Sequence, residues 1–168
     1  MPQRTQPYET PRATPDRIRE RYDPGWLDAL SDRHAELLRD LAEIRVRFGE
    51  RSVATALLEL STLGTQVRGY VETLDAFVLA PLARDWRGDA RVSERIARSR
   101  ERWQELVAML GALAETIAAI DLGSTDALAK VDFRFAEAAH RLGDAFRADR
   151  SSLFLLFLAP HRAPTRTR

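Results

Sequence analysis

Residues 92–120 read VSERIARSRERWQELVAMLGALAETIAAI. Spacings of four and three residues alternate without a break through Val92, Ile96, Ser99, Trp103, Leu106, Leu110, Leu113, Ile117 and Ile120. A stripe of that period is one face of an α-helix buried against partner helices, and Ser99 is its single polar interruption. The spacing predicts a helix over 90–121. It also predicts a fold class, because a seam this long is buried only by other helices of similar length.

Those helices lie on either side. Asp23-Pro24 starts one over 24–48, since an acidic cap followed by proline suits a first turn. Its stripe runs Trp26, Leu27, Leu30, Leu37, Leu38, Leu41, Ile44 and Phe48, with His34 inside it, and Gly49 stands where a left-handed cap is expected. Ser52 is placed to cap the next helix, whose stripe runs from Val53 through Ala56, Leu57, Leu60, Leu63, Val67, Val71, Leu74 and Val78 until Pro81 breaks or kinks it. Residues 85–89 form a turn. After 121–124, with Ser124 as cap, a last helix spans 125–158 on Leu128, Val131, Phe135, Ala138, Leu142, Ala145, Asp149, Ser152 or Leu153, and Leu156. Thr14-Pro15-Asp16 begins a short helix through Tyr22. Residues 1–13 and the basic 161–168 are expected to be flexible tails around a domain at 14–160. Long helices joined by short turns run up-down-up-down, so the expected fold is an all-α antiparallel four-helix bundle with a short N-terminal helix.

Composition narrows the functions. The 168 residues carry 26 basic and 25 acidic side chains, without the basic excess of a nucleic-acid binder. All the basic residues but Lys130 are arginine, which suits ion pairs and interfaces or reflects codon usage. Cysteine is absent, which excludes disulfides and thiolate chemistry. The N-terminus lacks the apolar core of a signal peptide and no run is long enough to span a bilayer, so the expected location is the cytoplasm. Ferritin-like iron sites need Glu-x-x-His pairs on two helices, which the chain does not supply, and hemerythrin-like sites need more histidines than His34, His140 and His161. No nucleophile elbow or phosphate loop is present. The expectation is no metal, no cofactor and no enzyme.

Counting residues from the turns at the helical rise places polar side chains in shared layers. His34 falls level with Gln66 and Tyr70, and its expected role is a core histidine bonded to one of them or part of a polar layer. Asp75 and Asp149 fall at one depth beside Arg98, Ser99 and Arg100, with Arg98 and Arg102 the nearest cations and Arg68 and Arg95 further off. Both acids either reach water at the stripe margins or form a specificity-setting ion pair or polar pocket, since a buried carboxylate needs partners. The last helix ends SSLFLLFL at 151–158, apolar all round. Ile18, Tyr22 and Trp86 cover that end, or Phe154, Leu155, Phe157 and Leu158 form a patch for a partner or a second copy.

Three segments carry a family resemblance: Trp26-Leu27 followed by Arg33-His34-Ala35-Glu36-Leu37, Gly69-Tyr70-Val71 through Phe77, and Phe146 and Asp149 before a leucine run and a proline-containing basic tail. In them the chain resembles the regulator of sigma D family of anti-sigma factors over residues 18–160. It departs from that pattern at Gly69 for Asp, Leu74 for Gly, Asp75 for His and Arg150 for an acid. A more distant likeness is to the hemerythrin-like fold, with Val71, Asp75, Ala145 and Asp149 where that fold carries ligands. The first likeness implies a regulatory protein that sequesters the primary sigma factor of RNA polymerase. Tyr22, Arg84, Trp86 and Arg87 are the anchor types such a surface would use. The alternatives are a metal-free hemerythrin-like bundle holding a small ligand near His34, Tyr70 and Asp75, and a homodimer formed through the apolar end of the last helix.

Overall fold

The computed structural model describes residues 25–50 and 52–158, and the side chains of all of these except Trp26, Phe157 and Leu158. The expected short helix ending at Tyr22, with Ile18, and the two expected tails lie outside the described residues. Four helical rods follow in order. Rod α1 is Gly25–Gly49; α2 passes through Val53–Leu74, a π turn at Asp75–Leu79, and Ala80–Asp85; α3 is Ala90–Ala118; α4 passes through Thr125–Asp149, a second π turn at Arg150–Phe154, and Leu155–Leu158. The fold is an all-α antiparallel four-helix bundle, with no strand among the described residues. α1 packs on α2 and α4, α3 packs on the same two, and α1 therefore stands diagonally opposite α3. None of the helices among the described residues is long and apolar enough to cross a membrane.

The stripes read from the sequence are the core. Leu37, Leu41, Ile44 and Phe48 from α1 meet Leu60, Leu63, Val67 and Leu74 from α2, Trp103, Leu106, Leu113 and Ile117 from α3, and Val131, Phe135 and Leu142 from α4. Among the described residues, an arginine–carboxylate bridge also crosses each adjacent pair of rods. Arg47 reaches Glu59 from α1 to α2, and Arg45 grips both oxygens of Asp132 at 2.6 and 2.8 Å from α1 to α4. Arg100 reaches Asp75 from α3 to α2, and Arg102 reaches Asp149 from α3 to α4, both at 2.7 Å.

Pro81 does not end α2. The Ala80 amide donates to the carbonyl of Asp75, five residues back, and the helix resumes with Pro81 in its first turn. Proline has no amide to give and its ring strikes the carbonyl four residues back, so a turn widened just ahead of it lets the rod continue to Asp85. The π turn of α4 has its own support. Ser151 Oγ and Ser152 Oγ donate to the Ala148 carbonyl at 3.1 and 2.5 Å, and Arg95 Nη1 of α3 donates to the Ser152 carbonyl at 3.2 Å. Side-chain donors here take the place of ladder amides.

The caps differ from expectation at two points. Gly49 stays helical, and the left-handed glycine is Gly88 (φ 94°), in the turn between α2 and α3. Ser52 occupies the cap position of α2 without a side-chain bond, whereas Asp89, read only as part of a turn, accepts from the Arg91 and Val92 amides at 2.9 and 3.1 Å. Ser124 caps α4 through the Ala127 amide, as its position before the stripe suggests. Losing an oxygen that satisfies first-turn amides costs about 1 kcal/mol, so Asp89→Ala should lower stability in urea by roughly that amount while Ser52→Ala changes it by a few tenths at most. Equal losses for the two variants would contradict these cap assignments.

Candidate functional site

Asp149 is the only carboxylate that the fold takes fully inside among the described residues. It occupies a stripe position of α4, seven residues after Leu142, and so faces the core where an apolar residue would ordinarily sit. Two donors from neighbouring positions of α3 hold it. Arg102 Nη2 donates to Oδ1 and the Trp103 indole Nε1 to Oδ2, each at 2.7 Å. Trp103 is itself fully buried, and its ring lies against that of Tyr70 on α2 with centroids 4.9 Å apart and planes tilted by 45°. Burial first, and then the charge on Asp149, push the Tyr70 hydroxyl far above its ordinary range, so it stays protonated. Ser99 lies on the same face of α3, one turn before Trp103, and is also completely buried.

The expected layer therefore separates into an inner cluster and several outer groups. Tyr70, Ser99, Arg102, Trp103 and Asp149 converge. Asp75 does not join them, because it lies on the half-open rim of α2, where its partner is Arg100. Arg98, expected beside the acids, turns outward to Glu94 on its own helix. Arg100 was identifiable only as part of the neighbouring stretch, since four arginines crowd this part of α3 and a rotation of one residue changes which one faces α2. Gln66 borders two open grooves between α1 and α2 of about 200 and 230 Å³, and it makes no bond to His34.

His34 is bonded elsewhere than expected. Its Nε2 lies 3.2 Å from the Leu142 carbonyl of α4, and its ring stacks on Phe146 with centroids 4.1 Å apart and planes 11° from parallel. A carbonyl can only accept, so Nε2 carries the proton of the neutral ring. Burial lowers the pKa of His34; the Leu142 carbonyl opposes this, and the positive charge of Arg147 adds to the lowering.

One Glu-x-x-His spacing does occur in the chain, Glu137 and His140 on α4. His140 is exposed and lies beside Asp144, and no group of three ligating side chains gathers among the described residues. Of the residues proposed for a partner, Arg84 and Arg87 are exposed, while Trp86 is half-buried and packed against the core. Phe154 belongs to the core and not to a surface patch, with its ring edge-on to Phe146 at 6.1 Å. Leu155, the next residue, is the exposed one. Tyr22 and the side chain of Phe157 lie outside the described residues. No protein-family model, curated protein or solved structure matches the chain.

Two outcomes follow from this arrangement. Removing Asp149 strands Arg102 and Trp103, so Asp149→Ala should cost about 3–5 kcal/mol. Asp75→Ala should cost less than about 1 kcal/mol, because its bridge is exposed. The two losses should add within about 0.5 kcal/mol in denaturant titrations; strong coupling would mean that the acids share a partner. For His34, the lowered folded pKa means that the unfolded chain takes up its proton first. Its contribution is then complete above the ordinary value of 6.5 and is lost as pH falls from there toward the folded pKa. Melting temperature should drop across that window in the parent protein, and the drop should shrink in His34→Phe. An identical pH profile in the two proteins would exclude His34 as its source.

Proposed function

We propose that this chain is a regulatory protein-binding bundle of the anti-sigma type, with the primary sigma factor of RNA polymerase as its partner. The observation that carries the reading is a strip on the outer side of α2. Phe77, Ala80 and Arg84 follow one another at spacings of three and four and are all exposed. The half-buried Trp86 and the exposed Arg87 continue the strip into the turn. On the opposite side of the same rod Val78, Leu79 and Leu82 are buried, which fixes the strip on a rigid support. Aromatic and arginine side chains on a preorganised element are the usual anchors of a protein interface, because rings bury a large rigid area and the guanidinium fork makes several directed hydrogen bonds. The strip includes Phe77 from the α2 segment in which the chain resembles the regulator of sigma D family, and that resemblance supplies the identity of the partner.

Titration calorimetry with the purified promoter-recognition domain of the primary sigma factor tests this reading. A one-to-one complex is expected, and replacing both Arg84 and Arg87 by alanine should weaken it by about tenfold or more, the loss of one strong anchor, with melting temperature unchanged. Absence of a complex, or equal affinity in the double variant, would overturn it.

A further inference from the structure

We propose that the interior of the bundle between α2, α3 and α4 is a built site for internal water, walled by Tyr70 and Ser99 and anchored on Asp149 and Arg102. Three polar atoms at this junction are sealed from solvent without a hydrogen-bond partner in the protein: Tyr70 Oη, Ser99 Oγ and Arg102 Nε. Tyr70 and Ser99 are 3% and 0% exposed, so solvent outside the bundle does not reach them. Buried polar atoms are paired almost without exception, and where protein groups are missing an ordered water supplies the bond.

The residues that carry these atoms share one neighbourhood. Ser99, Arg102 and Trp103 project from a single face of α3, three and four residues apart. Trp103 and Arg102 both touch Asp149, and the Trp103 ring touches Tyr70. The Asp149 charge acts on the Tyr70 hydroxyl, yet no direct bond joins the two groups. The protonated phenol is a donor and the nearby carboxylate an acceptor, a pair that one water can bridge.

The chemistry of the walls selects water over other occupants. An anion is repelled by Asp149. A cation meets a single carboxylate that already has the Arg102 guanidinium beside it, and the two positive charges repel. An apolar molecule leaves the hydroxyls and the guanidinium Nε unpaired. A small neutral molecule that both donates and accepts satisfies all of them, and this inference is independent of the partner proposed for the outer surface.

The sign of one substitution distinguishes a wet junction from a dry one. In a dry site Tyr70→Phe deletes an unpaired hydroxyl and raises the melting temperature. In a hydrated site it removes a bonded group and lowers it, by about 2–4 °C for a chain of this size. Ser99→Ala should behave likewise, and the double variant should lose less than the sum, because both side chains hold the same water. A high-resolution crystal structure should show density for water within bonding distance of Tyr70 Oη. A rise or no change in melting temperature for Tyr70→Phe, or empty density beside its hydroxyl, would overturn the proposal.

Discussion

A carboxylate sealed inside a helical bundle needs donors that reach it from the same interior, and that requirement governs how these rods are set against one another. Asp149 receives Arg102 and Trp103 from adjacent positions on α3. Together they fix the rotation and the vertical register of α3 against α4, because sliding either helix by a turn would leave a charge without its partner. Leucine seams alone do not give this discrimination: an apolar stripe shifted by one heptad still buries apolar groups. The Trp103 ring then carries the constraint to α2 by packing on Tyr70. One polar contact thus aligns three of the four rods.

The other arginine bridges obey the same geometry with smaller energies. Arg45–Asp132 and Arg47–Glu59 lie toward the end where α1 finishes, and Arg100–Asp75 lies on the same level as Asp149. Arg45–Asp132 and Arg100–Asp75 are about half open to solvent, so water screens them and their effect on stability is small, while Glu59 is the more buried partner of Arg47. Their value is directional, since the planar guanidinium fork accepts few orientations of a carboxylate. The Arg45 interaction shows this in its two-pronged grip on both oxygens of Asp132, and hydrogen bonding there raises the pKa of the arginine and lowers that of the acid. The near-exclusive use of arginine has a structural counterpart at every seam of the bundle.

Much of this was legible in the sequence, and what was not has physical reasons. The alternating four-three stripe of α3 identified both the helix and the fold class, because burial of a seam leaves a direct imprint on residue spacing. Asp149 and Ser99 were visible as polar residues in apolar stripes, and counting from the turns placed Asp149 near Arg102. Counting could not show that Asp75 faces outward, since depth along a rod says nothing about rotation about its axis. The His34 partner was hidden because a backbone carbonyl has no sequence signature. The π turns were hidden too: Pro81 read as a break, although a widened turn ahead of it lets α2 continue. At the end of α4, an apolar run on all sides could not show that Phe154 faces inward and Leu155 outward.

The Asp149–Trp103 contact belongs to the global core and is not a locally opening pocket. Hydrogen exchange of the Trp103 indole Nε1–H, followed by NMR across a denaturant series, tests this most directly. This proton is expected to exchange only when the whole bundle unfolds, so its exchange free energy matches global stability and falls with the same denaturant slope. Exchange that is faster than global unfolding and insensitive to denaturant would show that α3 and α4 separate locally at Asp149, and that the contact does not hold the bundle in register.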